Sequence, residues 1–309
     1  METPATGFEA APPGFRSGYA AVVGRPNVGK STLVNRMLDH KVSITSDRPQ
    51  TTRHRISGVL TTDAYQLILL DIPGFQKPRD LLTERMQGRV EETLSEVDVV
   101  LFLLAADQAI GRGDSYIGAY LAKTATPVVV ALNKVDLADA KTLSRRRAEI
   151  DRMEGRHSFC EILEISALLN YRVAELRESL ASRLPEGPLY FPPGTVTDQP
   201  EDLLIAELIR EKAIRLTEDE VPHSLAVQVL EAEPRKEGRL LYLRAVIYVE
   251  RDSQRPILLG EGGARIKQIG TEARQEIETL FGTQVFLDLG VKVRKRWRRD
   301  QSMLDRLGL

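Results

Sequence analysis

The stretch YAAVVGRPNVGKSTLVNRML, residues 19–38, constrains the chain more than any other. An apolar run that reads as a strand (19–23) passes directly into G-x-x-x-x-G-K-S, Gly24 to Ser31, and then into helix-like sequence (28–38). Glycines at this spacing let backbone N–H groups turn inward around phosphates, and the helix N-terminus adds positive potential there. Lys30 is placed to reach β- and γ-phosphates, and the Ser31 hydroxyl is a ligand for Mg²⁺. Arg25, Pro26, Asn27, Val28 and Gly29 fill the loop, and Thr32 follows on the helix. The bland reading is a glycine-rich strand–helix turn, but the placement after a strand and before a helix is what the phosphate-cradling mechanism requires.

The surrounding pattern agrees with that demand. Apolar runs at 19–23, 65–70, 98–104, 127–132 and 160–166 read as strands. Segments 28–38, 81–96, 113–124 and 171–184 read as helices between them. Strands without polar alternation, interleaved with helices, predict an α/β domain with a doubly wound, mostly parallel sheet over 18–185. PEGPLYFPPGTVTDQP, 186–200, is proline-rich and aperiodic and reads as a linker, and residues 1–17 read as a flexible tail. From 201 to 309 the predicted order α-β-β-α-α-β makes a small α+β domain. At 309 residues, two domains are the default.

Three further motifs follow the loop in order. Asp71 ends the apolar run YQLILL and opens D-x-x-G, with Ile72 and Pro73 between it and Gly74. Asp71 would hold Mg²⁺ through water, and the Gly74 N–H would touch a γ-phosphate. Between loop and Asp71 lies the polar SITSDRPQTTRHRI, where Thr51 or Thr52 could cap the metal. Thr52 is favoured, although composition does not separate the two. NKVD, Asn133 to Asp136, follows the strand PVVVAL. A carboxylate at Asp136 accepts from both N1–H and the 2-amino group of guanine, a donor pair adenine lacks. Asn133 would tie the base loop to the phosphate loop, and the Lys134 stem would lie over the ring. In ISAL, the backbone at Ser166, Ala167 and Leu168 would meet guanine O6. The ligand read from these residues is GTP or GDP rather than ATP.

GRPNVGKST, PQTTRHRI, DIPGFQKP and NKVD together resemble the TrmE-Era-EngA-like small GTPases, and with the C-terminal domain they look like the Era family of ribosome-assembly GTPases. In that domain GEGG, Gly260 to Gly263, separates two helical segments, which is the arrangement a KH domain uses to bring N–H groups against an RNA backbone. The resemblance implies a type II KH domain, with Gly260, Gly262 and Gly263 at the clamp. Family members usually carry a basic residue in this turn; Glu261 departs from that, and Arg265 and Lys267 are the expected compensation. The run VKVRKRWRRD adds Lys292, Arg294, Lys295, Arg296, Arg298 and Arg299 with Trp297 among them for stacking or packing. Residues 201–309 hold 19 Lys+Arg and 19 Asp+Glu, so positive charge in this domain is concentrated rather than general. Such a cluster suits phosphate neutralisation.

What remains concerns turnover and setting. Phe75 occupies the position where many such enzymes orient water with a glutamine, and Gln76 stands one position late. In related GTPases an asparagine at the position of Asn27 helps hold K⁺ against the phosphates, so the resemblance implies a catalytic set of Lys30, Asn27, Thr52 and Gly74. It also implies binding near the 3′ end of 16S ribosomal RNA, a role in 30S subunit biogenesis and some peripheral membrane association. The rival reading is an RNA-binding module that keeps guanine nucleotide only as a structural or regulatory ligand. A single cysteine, Cys160, read as a small buried hydrophobe, fits a reducing cytoplasm. No basic n-region precedes an apolar run at the N-terminus, and the chain is expected to be a cytoplasmic monomer.

Overall fold

The structure, a computed structural model, describes residues 11–46, 48, 51–75, 78–154, 159–235 and 238–309. These sort into two compact units. One gathers the described residues of 1–42, 55–76 and 88–198, and the other gathers those of 43–54, 77–87 and 199–309. The grouping differs from the linear division expected from sequence, because two short internal segments cluster with the C-terminal unit.

The first unit is built on a six-stranded sheet: β1 (Arg16–Val23), β2 (Ile56–Thr61), β3 (Tyr65–Asp71), β4 (Val99–Ala105), β5 (Val128–Asn133) and β6 (Glu161–Glu164). Its order is β2-β3-β1-β4-β5-β6, parallel except for β2, which runs antiparallel to β3. Both faces of the sheet are covered, which is why the central strands are continuous apolar runs. Ala20, Val22, Leu67, Leu69, Leu101 and Leu103 pack on one side with Leu33 and Met37 of α1 (Lys30–Leu38) and Leu176 and Leu180 of α5 (Val173–Ala181). The alternate residues Ala21, Val23, Ile68, Leu70, Phe102 and Leu104 face three other helices. These present Val90 and Leu94 of α2 (Leu81–Glu96), Ile117 and Leu121 of α3 (Arg112–Leu121), and Ile150 and Met153 of α4 (Ala140–Glu154). Chain order reverses about β1, so the loops leaving β1 and β3 open a crevice at the carboxyl ends of the strands.

Two elements arise where none was expected. Strand β2 begins at the last residue of the polar SITSDRPQTTRHRI stretch, in sequence given no element, and spans only six residues, ISGVLT, in which Ser57 and Gly58 interrupt the apolar run. Helix α4 has eight charged residues among fifteen, so its buried stripe shrinks to a few positions and the helical period fades.

Three expectations are corrected. The tail does not extend to residue 17: Phe15 is buried, β1 opens at Arg16, and Ser17 N–H donates to Pro185 O. Residues 1–10 lie outside the described residues. The 186–200 stretch is not a free linker up to its end. The carboxamide of fully buried Gln66 accepts from the N–H groups of Tyr190 and Phe191 and donates to Phe191 O. Val59 N–H donates to Val196 O and Thr197 Oγ1 to Ser57 O, so this stretch covers the sheet edge that β2 would otherwise expose. Cys160 is exposed rather than buried.

The second unit has a three-stranded sheet in the order β7 (Ala226–Arg235), β8 (Leu240–Val249), β9 (Gln284–Val293), antiparallel and then parallel. Helices α6 (Glu201–Arg215) and α9 (Ala264–Phe281) cover one face. Leu208 and Ile209 meet Ile269, Ala273 and Ile277 over Leu243, Ala245 and Ile247, and Ile44 from segment 43–54 completes that core. A separate cluster joins Trp297 with Met303, Leu304 and Leu307, where α10 (Gln301–Arg306) closes the chain, and includes Leu82 and Met86 from segment 77–87. Short helices α7 (Val221–Ser224) and α8 (Gln254–Leu259) complete the unit. Among the described residues no helix is long and apolar enough to cross a membrane.

Replacing Gln66 with Ala strips the partners from three backbone groups at 190 and 191. The expected cost is about 1–3 kcal/mol in denaturant unfolding. Limited proteolysis of the variant should cut first within 187–198, and an unchanged cleavage pattern would show that the clasp does not hold this stretch.

Candidate functional site

The phosphate loop is shaped by close approaches that exclude side chains. A Cβ on Gly24 would sit 2.5 Å from Leu103 O, and one on Gly29, whose φ is 101°, would sit 2.4 Å from Asn133 Nδ2. The second approach exists because Asn133 reaches into the loop. Its Nδ2 donates to Val28 O at 2.9 Å, while its Oδ1 accepts from Ala167 N–H at 2.9 Å. A single buried carboxamide therefore joins the phosphate loop to both base-side loops. Arg36 on α1 secures the same region by donating to Ala167 O and Leu168 O. Ser166 is buried with Oγ accepting from Leu169 N–H, whereas Leu168 is exposed. Asp136 is exposed on the one-turn helix after β5, with its carboxylate available to solvent, and Lys134 Nζ pairs with Asp107 at 3.2 Å.

Lys30 is buried, with Nζ donating to Gly24 O and Arg25 O across the mouth of the loop. Burial lowers its pKa, and the Asp71 carboxylate works against that shift. Ser31 Oγ donates to Asp71 Oδ2 at 2.7 Å, so the two predicted metal-holding oxygens already converge. Asp71 is fully buried at the end of β3. Behind it Ile72 belongs to the apolar core, and Gly74 lies against Pro26, where an added Cβ would be 3.3 Å from the ring. Val28 is also a core residue, so its contribution to a ligand is backbone only. Thr32 stands half-buried on α1.

Some predicted residues are placed otherwise than expected. The Arg25 side chain turns to α3, where Nε pairs with the buried Asp114 at 2.7 Å, leaving its backbone for the loop. Asp114 also accepts from Gly111 N–H and caps α3. Its position in a first helical turn was readable from sequence, but its pairing with Arg25 was not. Phe75 is buried, its ring edge-on to Tyr120 at 5.4 Å and Tyr116 at 6.4 Å, which removes it from any role with water. Gln76 lies outside the described residues. Ser31 and Asp71 belong to the first unit, whereas Thr51 and Thr52 belong to segment 43–54 of the second. There Thr52 is buried, and Thr51 O accepts from Arg210 on α6.

In the second unit, Gly260, Gly262 and Gly263 all have positive φ, 72°, 56° and 81°. A Cβ at Gly260 would lie 2.8 Å from Arg265 Cβ, while Gly262 and Gly263 have nothing within 4 Å. The turn between α8 and α9 thus offers bare backbone to solvent. Glu261 and Lys267 are exposed beside it. Arg265 folds back to donate to Ile257 O, satisfying an α8 carbonyl, so it does not offset Glu261.

The basic run is divided by its partners. Trp297 is fully buried, with Nε1 donating to Ser224 O at 2.9 Å, which corrects the expectation that it could stack on RNA. Arg53 lies over its ring and donates to Leu225 O, and burial holds the Arg53 pKa down at about 9. Arg294 pairs with Asp300, Lys295 with Asp252, and Arg298 with Glu250 and Asp80. Lys292, Arg296 and Arg299 are exposed.

Comparison with known proteins bears on both units. Residues 19–134 match the family model described as "50S ribosome-binding GTPase", and residues 220–298 match the KH domain model. The chain is 48% identical over 299 residues to GTPase Era of Mycobacterium tuberculosis (strain H37Rv), covering 95% of this chain and 99% of that one. GTPase Era of Mycobacterium sp. (strain KMS) is 46% identical over 297 residues, with the same coverage. Two solved structures superpose with a TM-score of 0.91 at 40% identity, again over 95% and 99% of the two chains. One is a point variant of Aquifex aeolicus Era bound to GDP·AlF4⁻, and the other is Era with MgGDPNP and nucleotides 1506–1542 of 16S ribosomal RNA. Phosphate loop, guanine-reading loop and helix–glycine turn–helix unit occur here in one chain along nearly its whole length, and the chain belongs to the Era family of GTPases.

Proposed function

We propose that this GTPase works with Mg²⁺, engages the 3′ region of 16S ribosomal RNA through the bare GEGG turn, and acts in 30S subunit assembly as a cytoplasmic monomer. The observation that carries the nucleotide side is the Asn133 carboxamide, which holds phosphate and base loops at a fixed spacing. For the RNA side it is the open backbone at Gly262 and Gly263, where nothing lies within 4 Å of an added Cβ; the N–H groups of Gly260 and Gly263 donate to Pro256 O and Gly260 O, which fixes the turn. The Era structure with MgGDPNP and 16S nucleotides 1506–1542 supports both ligands.

The residues present suit Mg²⁺. A hydroxyl and a carboxylate oxygen converge at 2.7 Å, and hard oxygen donors of this kind are what the ion selects. Ser31 and Asp71 would hold it. Bound there, the ion would neutralise charge on the β- and γ-phosphate oxygens. The chain's own groups do the rest. Loop N–H groups and the start of α1 face the phosphates. Lys30 exchanges two carbonyl partners for phosphate oxygens, and its burial strengthens that attraction. Gly74, packed on Pro26, would offer its N–H to the γ-phosphate. Asp136 selects guanine by pairing with N1–H and the 2-amino group.

Phe75, which follows Gly74, is buried against Tyr116 and Tyr120 and does not orient water. Asn27 stands at φ 64° in the loop, a left-handed conformation that asparagine tolerates. We assign it to K⁺, a second cation beside the phosphates. Asn27→Ala should abolish K⁺ stimulation of GTP turnover while leaving the Na⁺ rate close to wild type; equal wild-type rates in the two salts would refute the assignment. Asn133→Ala leaves Val28 O and Ala167 N–H without their partner. It should weaken GDP binding by about 10- to 100-fold in calorimetric titration, matching the cost of orphaned buried groups. Turnover by the wild-type chain with 16S nucleotides 1506–1542 tests the whole reading. A rate equal to uncatalysed hydrolysis, with and without RNA, would overturn it.

A further inference from the structure

Away from the GEGG turn, the ends of β8 and β9 border a cleft of about 520 Å³ whose basic lining is Arg251, Lys295, Arg296, Arg298 and Arg299. The cleft lies wholly within the second unit. Its acids are committed. Glu250 and Asp80 hold Arg298 at 3.1 and 3.5 Å, and Asp252 holds Lys295 at 3.3 Å. Among the described residues, Arg251, Arg296 and Arg299 have no salt bridge and no side-chain hydrogen bond. Three unneutralised guanidiniums therefore face one cavity, beside a fourth fixed in place by two carboxylates. All three residues are exposed, so water is what solvates their charge in the protein alone. Arg296 adds backbone strain, since its φ is 56° in a non-glycine residue.

The chemistry that complements such a site is a run of phosphodiesters with forked acceptor geometry, which guanidinium matches better than ammonium. The cavity is about the size of a small-ligand pocket, which suits a nucleotide unit rather than an extended duplex face. We propose that this cleft is a second RNA contact, separate from the glycine turn, which takes the phosphodiester backbone through Arg251, Arg296 and Arg299. The assignment rests on the RNA reading given above and specifies where most of the salt-sensitive part of that binding resides.

Asp80 sets a competing negative charge at the edge of the site. Its Oδ1 caps α2, accepting from Thr83 N–H at 3.0 Å and from Thr83 Oγ1 at 2.7 Å. Its Oδ2 faces Arg298. A phosphate in the cleft competes with Asp80 for Arg298.

The test uses the full chain and RNA of nucleotides 1506–1542 of 16S ribosomal RNA, with affinity measured across a salt series. Arg251→Gln and Arg299→Gln should each weaken binding and lower the slope of log affinity against log salt by about 0.7 to 1. Arg296→Asn, which tolerates positive φ, should do the same. Asp80→Asn keeps the helix cap and removes the competing charge; it should tighten binding about two- to fivefold. Thermal unfolding of each variant separates misfolding from lost contact. Gly262→Asp, at the glycine turn, should weaken binding with the cleft intact. Wild-type slope in all three arginine variants, with Gly262→Asp still impaired, overturns the cleft and leaves the RNA reading standing. Absence of RNA binding by the wild-type chain overturns both. Loss of binding to phosphatidylglycerol vesicles with RNA affinity unchanged would assign the cleft to lipid headgroups instead and refute the proposal.

Discussion

The Asn133 carboxamide occupies a position where three loops meet, two of which are also joined by Val135 N–H donating to Ile165 O. Val28 carbonyl, Ala167 amide and the end of β5 are brought together through one side chain, and both ends of that side chain are buried. A buried hydrogen bond of this kind is modest when made and expensive when lost. The requirement propagates. Gly29 cannot carry a side chain because the Asn133 amide fills the space a Cβ would need. The three loops leave β1, β5 and β6, which run in one direction through parallel pairing with β4 between β1 and β5, so they emerge at the same end of the sheet.

The second unit depends on a different kind of interaction. Arg210 and Glu207 are an ion pair on one turn of α6, with side chains almost wholly removed from water. Burial alone would push the Glu207 carboxyl up, yet Arg210 beside it holds the pKa below the ordinary value. Such a pair contributes little net stability over an apolar substitute, but breaking it strands a charge. What it secures is a contact: Arg210 also donates to Thr51 O, and Glu211 on the same helix accepts from Thr45 N–H. Segment 43–54, which carries the candidate metal-capping threonine, is therefore held near its start by Ile44 in the core and Thr45 on α6, and near its end by Thr51 on the same helix.

How much of this could be read from the chain depends on what kind of force made each element. The central strands and the phosphate loop were legible because burial on both faces and phosphate cradling each demand a narrow set of residues. Strand β2 was not, because Ser57 and Gly58 break its short apolar run and its hydrogen bonds to β3 leave no residue signature. Helix α4 hid behind its charges. Trp297 was ambiguous for a specific reason: a tryptophan among arginines looks the same whether its neighbours face RNA or salt-bridge partners. Only the Ser224 carbonyl and Arg53, distant in sequence, show that it is a core residue. Asp114 and Gln66 belong to the same class, side chains whose partners lie 89 and 125 residues away.

The basic run illustrates why charge in a sequence is a poor guide to charge at a surface. Six cations within eight positions suggest one continuous binding patch, but each carboxylate that folds against the run removes a member and fixes another. Asp300, Asp252, Glu250 and Asp80 occupy Arg294, Lys295 and Arg298 between them. Arg251, which no one-dimensional reading would group with the tail, is brought into the cleft by the parallel register of β8 and β9, in which Val249 stands opposite Val293. The effective cationic surface is thus smaller than the run and partly outside it. That selection by pairing is what turns a diffuse excess of charge into a site with defined geometry.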